Sequence, residues 1–205
     1  MEYAIPLGVA AAVLVTVIVM AATNAARRRK HKEQLFAEAR EFVESVQERK
    51  ALDPVSTDVI LKSGETAFYS APSALYETRA VRHYQSGTTG LRIAKGIYVG
   101  STRGRSVSTQ EWSCVDTGRL TVTSKRLIFC GGRADRTVQL SKVVSIESSF
   151  TAVEVSVEGR QKRMVLQADN PFVVAVIIRI CSQADDPLDL SEMTLNVTFE
   201  EAHAT

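Results

Sequence analysis

The sequence predicts a mainly β protein with helices: an N-terminal transmembrane helix, a helical spacer, and an antiparallel β-sandwich or barrel closed by a C-terminal helix. Three observations carry that expectation. Residues 4–22 hold no charged side chain and consist mostly of Ala, Val, Leu, Ile and Met. From Val59 onward apolar residues recur with a period of two, in short segments separated by glycine-containing turns. Further on, Asn170-Pro171 precedes an almost wholly apolar stretch, residues 172–180, too short to span a bilayer and suited to a buried helix.

Residues 1–26 are expected to form the single transmembrane helix with a short N-terminus. The uncharged run is 19 residues long, close to what a helix needs to cross about 30 Å of hydrocarbon. Pro6 falls in its first turn, where a missing N–H costs little. A cleaved signal would carry positive charge before its apolar run. Here only Glu2 precedes it, whereas Arg27, Arg28, Arg29, Lys30 and Lys32 follow. The positive-inside rule then sets the N-terminus outside and the following domain in the cytoplasm, at the cell membrane. The same five residues are the expected membrane-surface contact, each attracted to anionic headgroups by up to about 1 kcal/mol.

Residues 27–53 combine this basic collar with an amphipathic helical spacer. Within residues 33–52, Leu35, Ala39, Phe42 and Val46 recur at helical spacing and Phe36 and Val43 widen the stripe. The stripe is expected to pack on its own domain, with self-association into a homo-oligomer as the alternative. Asp53-Pro54 ends the helix, because the residue before proline resists helical geometry.

Residues 54–184 form the expected β domain. Its strands are predicted at residues 66–69, 75–84, 91–99, 118–123, 126–130, 137–140, 143–146, 152–157 and 163–168. Turns are predicted at Ser86-Gly87, Gly100 to Gly104, Gly131-Gly132 and Gly159-Arg160. Asn170 is the expected cap of the closing helix, with Pro171 in its first position. Residues 185–205 read as an acidic tail, with Asp185, Asp186, Asp189, Glu192, Glu200 and Glu201 and no Lys or Arg; an alternating piece at 193–199 leaves an added edge strand as the alternative. The charge is thus uneven. Residues 58–183 hold 17 Lys/Arg against 10 Asp/Glu, a net of +7, whereas the whole chain carries +2.

No catalytic arrangement stands out. His31, His83 and His203 are far apart, and no Gly-x-Ser-x-Gly, Walker A or Gly-x-Gly-x-x-Gly spacing occurs. Cys114, Cys130 and Cys181 are odd in number, scattered and without a Cys-x-x-Cys pair. This argues against a disulfide framework or a zinc site and for reduced thiols, with Cys130 and Cys181 packed in the core. Trp112 and Tyr98 are expected in partly buried positions. No catalytic residue, metal or cofactor is therefore expected. What remains is positive charge near glycines. Lys95, Arg103 and Arg105 stand near Gly100 and Gly104, whose lack of a side chain would let a loop approach a ligand closely. A second basic cluster, Arg79, Arg82, His83 and Arg92, is expected on the two arms of a hairpin through Gly87; Arg79 and Arg82, three apart on a strand, would face opposite ways and cannot serve one pocket.

Residues 118–140 carry a more specific pattern: Gly118, a strand through Leu120, a Thr-x-x-Arg-Leu turn at Thr123, Arg126 and Leu127, and Phe129 in the next strand. The pattern resembles that of bacterial PH-like domains and the related GRAM domains. The resemblance covers roughly residues 59–183 and implies a PH-like fold, strands followed by one C-terminal apolar helix. Lys95, Arg103 and Arg105 are similar to the Lys, gap, Arg-x-Arg pattern by which some eukaryotic PH domains bind phosphoinositides, and this resemblance makes them the candidate ligand-binding set for an anionic headgroup. In that pattern the basic residues bracket the first hairpin, whereas here they follow the second or third predicted strand. The combined expectation is a non-catalytic, membrane-anchored PH-like binding module that binds a protein partner or scaffolds at the cytoplasmic face of the bilayer. Recognition of anionic lipid by its basic loops is the alternative. Nucleic acid is not an expected partner, because the chain lacks the aromatic-basic motif of an RNA platform.

Overall fold

The structure, a computed structural model, describes residues 7–94, 97–160 and 162–193; of residues 7–15, 17–18, 79–94 and 97–111 it describes the backbone alone. A long helix, α1 (Leu7–Arg49), is followed by β1 (Ala67–Ala94), β2 (Ile97–Thr123), β3 (Arg126–Gly131) and β4 (Asp135–Gln139). A 3-10 turn (Leu140–Lys142) leads to β5 (Val143–Ser148), β6 (Ala152–Val157), β7 (Met164–Gln167) and α2 (Pro171–Gln183). The seven strands form one antiparallel sheet in the order β4-β3-β2-β1-β7-β6-β5. Among the described residues β4 and β5 share no ladder, so the expected sandwich or barrel takes the form of a single sheet with two open ends.

Alternation explains the body of this sheet. Leu120 and Val122 on β2, Leu127 and Phe129 on β3, and Val153 and Val155 on β6 are buried, and each aliphatic or aromatic side chain so removed from water contributes about 1.5–3 kcal/mol. The complementary surface comes from α2, whose Val174, Ile177, Ile178 and Cys181 are buried in the same core. Burial pushes the Cys181 thiol up to about 12. The helix begins as the sequence predicts. The Asn170 side chain accepts a hydrogen bond from the Val173 N–H at 3.3 Å, and Pro171 occupies the first turn.

Four expectations need correction. The three strands predicted between residues 75 and 123 are two long ones. Ser86-Gly87 and the Gly100 to Gly104 stretch are not turns: Gly87 pairs with Arg103, and Gly90 with Gly100, in an unbroken ladder. A glycine in a two-stranded pairing loses only packing that such a strand does not have, so it need not break the strand. Second, the segments expected as membrane span and spacer form one helix, since α1 runs from Leu7 through both. It stops at Lys50, which takes a left-handed φ of 52° and donates its N–H to the Val46 carbonyl at 2.8 Å. Third, the acidic stretch does not leave the domain at Asp185. Pro187 accepts from the Leu52 N–H at 2.9 Å, Leu190 donates to the Lys50 carbonyl at 2.7 Å, and Leu190 is buried, so residues 185–190 wrap the end of α1. Residues 194–205 lie outside the described residues. Fourth, Cys130 and Trp112 are exposed: Cys130 follows the buried Phe129 on β3 and so takes the opposite face, and Trp112 pairs with Thr78, past the end of the pairing between β1 and β7.

Among the described residues no helix is long and apolar enough to cross a membrane. Of the expected span, residues 1–6 lie outside the described residues, and residues 7–15 and 17–18 are described by backbone alone.

Candidate functional site

The signature residues of the β2–β3 turn hold the fold together. Thr123 accepts hydrogen bonds from the N–H groups of Lys125 (3.2 Å) and Arg126 (2.8 Å), which closes the turn, and its hydroxyl donates to Glu65 Oε1 at 2.6 Å. Arg126 grips the same carboxylate with two nitrogens, Nε to Oε1 at 2.8 Å and Nη2 to Oε2 at 2.7 Å, and the Lys62 N–H completes the set at 2.7 Å. The Glu65 side chain has no exposed surface. Hydrogen bonding from Arg126, opposed by burial and assisted by Lys62 and Thr123, lowers its pKa to about 2. All of this carboxylate's acceptor capacity is directed inward, so the motif is a structural clasp rather than a ligand site. Gly118 belongs to it sterically: a Cβ there would meet the Gly131 Cα at 2.7 Å and collide with the Cys130 carbonyl.

A second cluster lies where β1 and β2 leave the sheet. Beyond Glu77, β1 has passed its last pairing with β7, and β2 pairs with β3 only from Gly118 onward. Val115 is an extra residue in β2, since Leu75 pairs with Asp116 and Tyr76 with Cys114; such a bulge bends its strand. Asp116 braces the bend, accepting from the N–H groups of Arg133 (2.5 Å) and Ala134 (2.9 Å) in the β3–β4 turn. Glu77 accepts from Arg136 Nε at 2.8 Å. That hydrogen bond holds its carboxyl below the usual range against the opposing effect of burial, with further help from Arg160 and Lys162. The start of the β1–β2 ribbon is therefore ringed by basic groups from β4 and the β6–β7 turn.

From Thr78 to Ala94 the ribbon is 17 residues long, about 55 Å of contour at ~3.3 Å per residue. Its register pairs Arg79 with Glu111, Arg82 with Ser108, His83 with Val107 and Arg92 with Tyr98. Arg103 and Arg105 face Gly87 and Gln85 in the middle of the ladder, six and eight residues from Ile97, and so stand on a strand and not in a loop. Lys95 lies outside the described residues.

The collar residues Arg27, Arg28, Arg29, Lys30 and Lys32 are exposed on α1. Below them α1 docks. Leu35, Ala39, Val43 and Val46 are buried, and Phe36 packs on Phe172 (centroids 4.7 Å) and Phe150 (5.5 Å). Lys32 Nζ sits 4.4 Å over the Phe150 ring. Asn170 links the two helices, donating to the Leu35 carbonyl and to Glu38 Oε2, both at 3.0 Å. The stripe thus packs on its own domain. Glu65, Glu77, Arg136 and Phe150 were not singled out by sequence reasoning. The two acids and Arg136 gave no local signal, because their partners are about 60 residues distant, whereas a phenylalanine in the polar turn Ser148-Ser149-Phe150-Thr151 could have been noticed.

Compared with known protein families, curated proteins and solved structures, the chain matches none.

Proposed function

We propose that the chain is a non-catalytic, single-pass membrane-anchored binding module of PH-like type. Its N-terminus is outside, its domain lies at the cytoplasmic face, and its role is to hold a protein partner there. The observation that carries this reading is the continuity of α1. The helix that starts in the uncharged segment and bears the exposed collar is the same helix whose stripe is buried in the domain. An anchor built this way is a stiff post rather than a flexible tether. From Ala22 to Leu35 the helix rises about 20 Å at 1.5 Å per residue, enough to set the docked domain just above the headgroups. The PH-like reading is supported by the order of elements, seven antiparallel strands and then one apolar helix, and by the clasp built from Thr123 and Arg126.

The geometry weighs against the lipid alternative for the protein's own bilayer. Ala152 pairs with Gln167 at one end of β6 and β7, and Phe150 and Asn170, just outside that pair, receive α1. The ribbon departs past Met164, at the other end of β7. With α1 in the bilayer, the ribbon therefore points away from it.

The test is fractionation of the full chain. It should stay with membranes through high salt and alkaline carbonate and be released only by detergent. Release by salt alone would overturn the anchored reading, because the collar would then bind only by charge.

A further inference from the structure

The ribbon combines features seldom left together on a protein surface. From Thr78 to Ala94 and from Ile97 to Thr117 the only ladder is the one between β1 and β2, so among the described residues the outward N–H and C=O groups of both strands have no strand partner. Such edges are normally blunted by proline, by bulges or by charge. Here residues 78–117 contain no proline, and the register runs without a shift from Tyr76 to Arg92. Charge is the remaining device, and it has one sign. Arg79, Arg82, Arg92, Lys95, Arg103 and Arg105 stand in residues 79–111 against the single acid Glu111.

We infer that the β1–β2 ribbon is a docking edge for an extended acidic polypeptide segment, which adds to it as a further strand. Like charges directly across a ladder disfavour pairing with the ribbon of a second copy, and opposite charges favour an acidic strand. Main-chain hydrogen bonds would supply affinity, and alternate acidic side chains selectivity. That the segment approaches from the aqueous side rests on the anchored reading; the ladder and the charge do not.

The experiment uses the full chain in non-ionic detergent, titrated with a fluorescent 12-residue peptide of alternating Glu and Val. Three competitors accompany it: a Lys-Val peptide, a Glu-Val peptide N-methylated at alternate residues, and a single-stranded oligonucleotide of equal charge. The Glu-Val peptide should bind saturably, at least about tenfold tighter than the Lys-Val or the N-methylated peptide. Arg103→Glu with Arg105→Glu should weaken it by about tenfold or more. Equal binding of the N-methylated peptide would overturn the proposal in favour of charge alone, tighter binding of the oligonucleotide would replace it with a nucleic-acid site, and no saturable binding would end it. Because N-methylation alters only the peptide, the outcome does not depend on how the variant folds. Since micelles serve as the medium, the result is independent of the membrane fractionation, and either can fail alone.

Discussion

The same two strands live in two different environments. Between Ala67 and Leu75, and between Gly118 and Thr123, β1 and β2 lie inside a seven-stranded sheet, with Leu75, Leu120 and Val122 fully buried beneath α2. Past Glu77 and its partner Ser113, just beyond the bulge at Val115, they have only each other. The first half reads as alternating apolar residues, the second as Ser, Thr, Gly and Arg. A two-stranded ribbon is marginal on its own. The comparison teaches that backbone pairing is continuous across the bulge whereas the energetic support for it is not. The body is held by burial and by the Glu65 clasp; the ribbon is left free to use its edges and charge.

Substitutions should separate the halves sharply. The largest effect is expected in the body: Phe129→Ala removes a fully buried ring and should cost about 3–5 kcal/mol. Calorimetry on the detergent-solubilised chain would register this as a fall in Tm of roughly 10 °C. Arg126→Ala strands the Glu65 carboxylate without its main partner and should cost about 3 kcal/mol, measurable by denaturant titration.

The same clasp predicts an acid limb. Glu65 has a folded pKa of about 2, below its unfolded value of roughly 4.3. Its contribution is therefore complete above the unfolded value and lost as pH falls toward 2. Glu65→Gln should lower stability at neutral pH and flatten that limb in pH-dependent melting curves; an unchanged slope would show that other carboxylates govern it. A smaller loss, about 1 kcal/mol, is expected for Asn170→Ala, which removes the cap of α2 and the bridge to α1. Smallest of all should be Arg103→Ser with Arg105→Ser, within about 0.5 kcal/mol. By hydrogen exchange, ribbon amides should open far sooner than those opposite β3 and β7. Protection in the ribbon equal to that in the body would erase the contrast.

Much of the body was legible in the sequence. The period-two runs located β3, β6 and β7 to within a residue or two, and Asn170-Pro171 marked the start of α2 because capping is a local interaction. The stripe at Leu35, Ala39 and Val46 was visible as well, since helical period is a property of the segment alone. The ribbon was not legible. Glycines at Gly87, Gly90, Gly100 and Gly104 look like turns, and whether a glycine bends a strand or lies in one depends on what faces it. The candidate set of Lys95, Arg103 and Arg105 inherited that error, so the basic loop it was assigned to is, for Arg103 and Arg105, the middle of a ladder.

Composition and period therefore determined on their own the uncharged segment, the exposed basic collar, the mainly β domain, the capped apolar helix and the positive charge of residues 79–111. These are properties of short windows, and local chemistry is enough to set them. Only the tertiary structure decided that Glu65 closes on Arg126, that α1 buries its stripe against α2, that residues 185–190 wrap the end of α1, and that β1 and β2 run on beyond the sheet. Each of those depends on a partner far away in the chain, and no short stretch of sequence carries the identity of its distant neighbour.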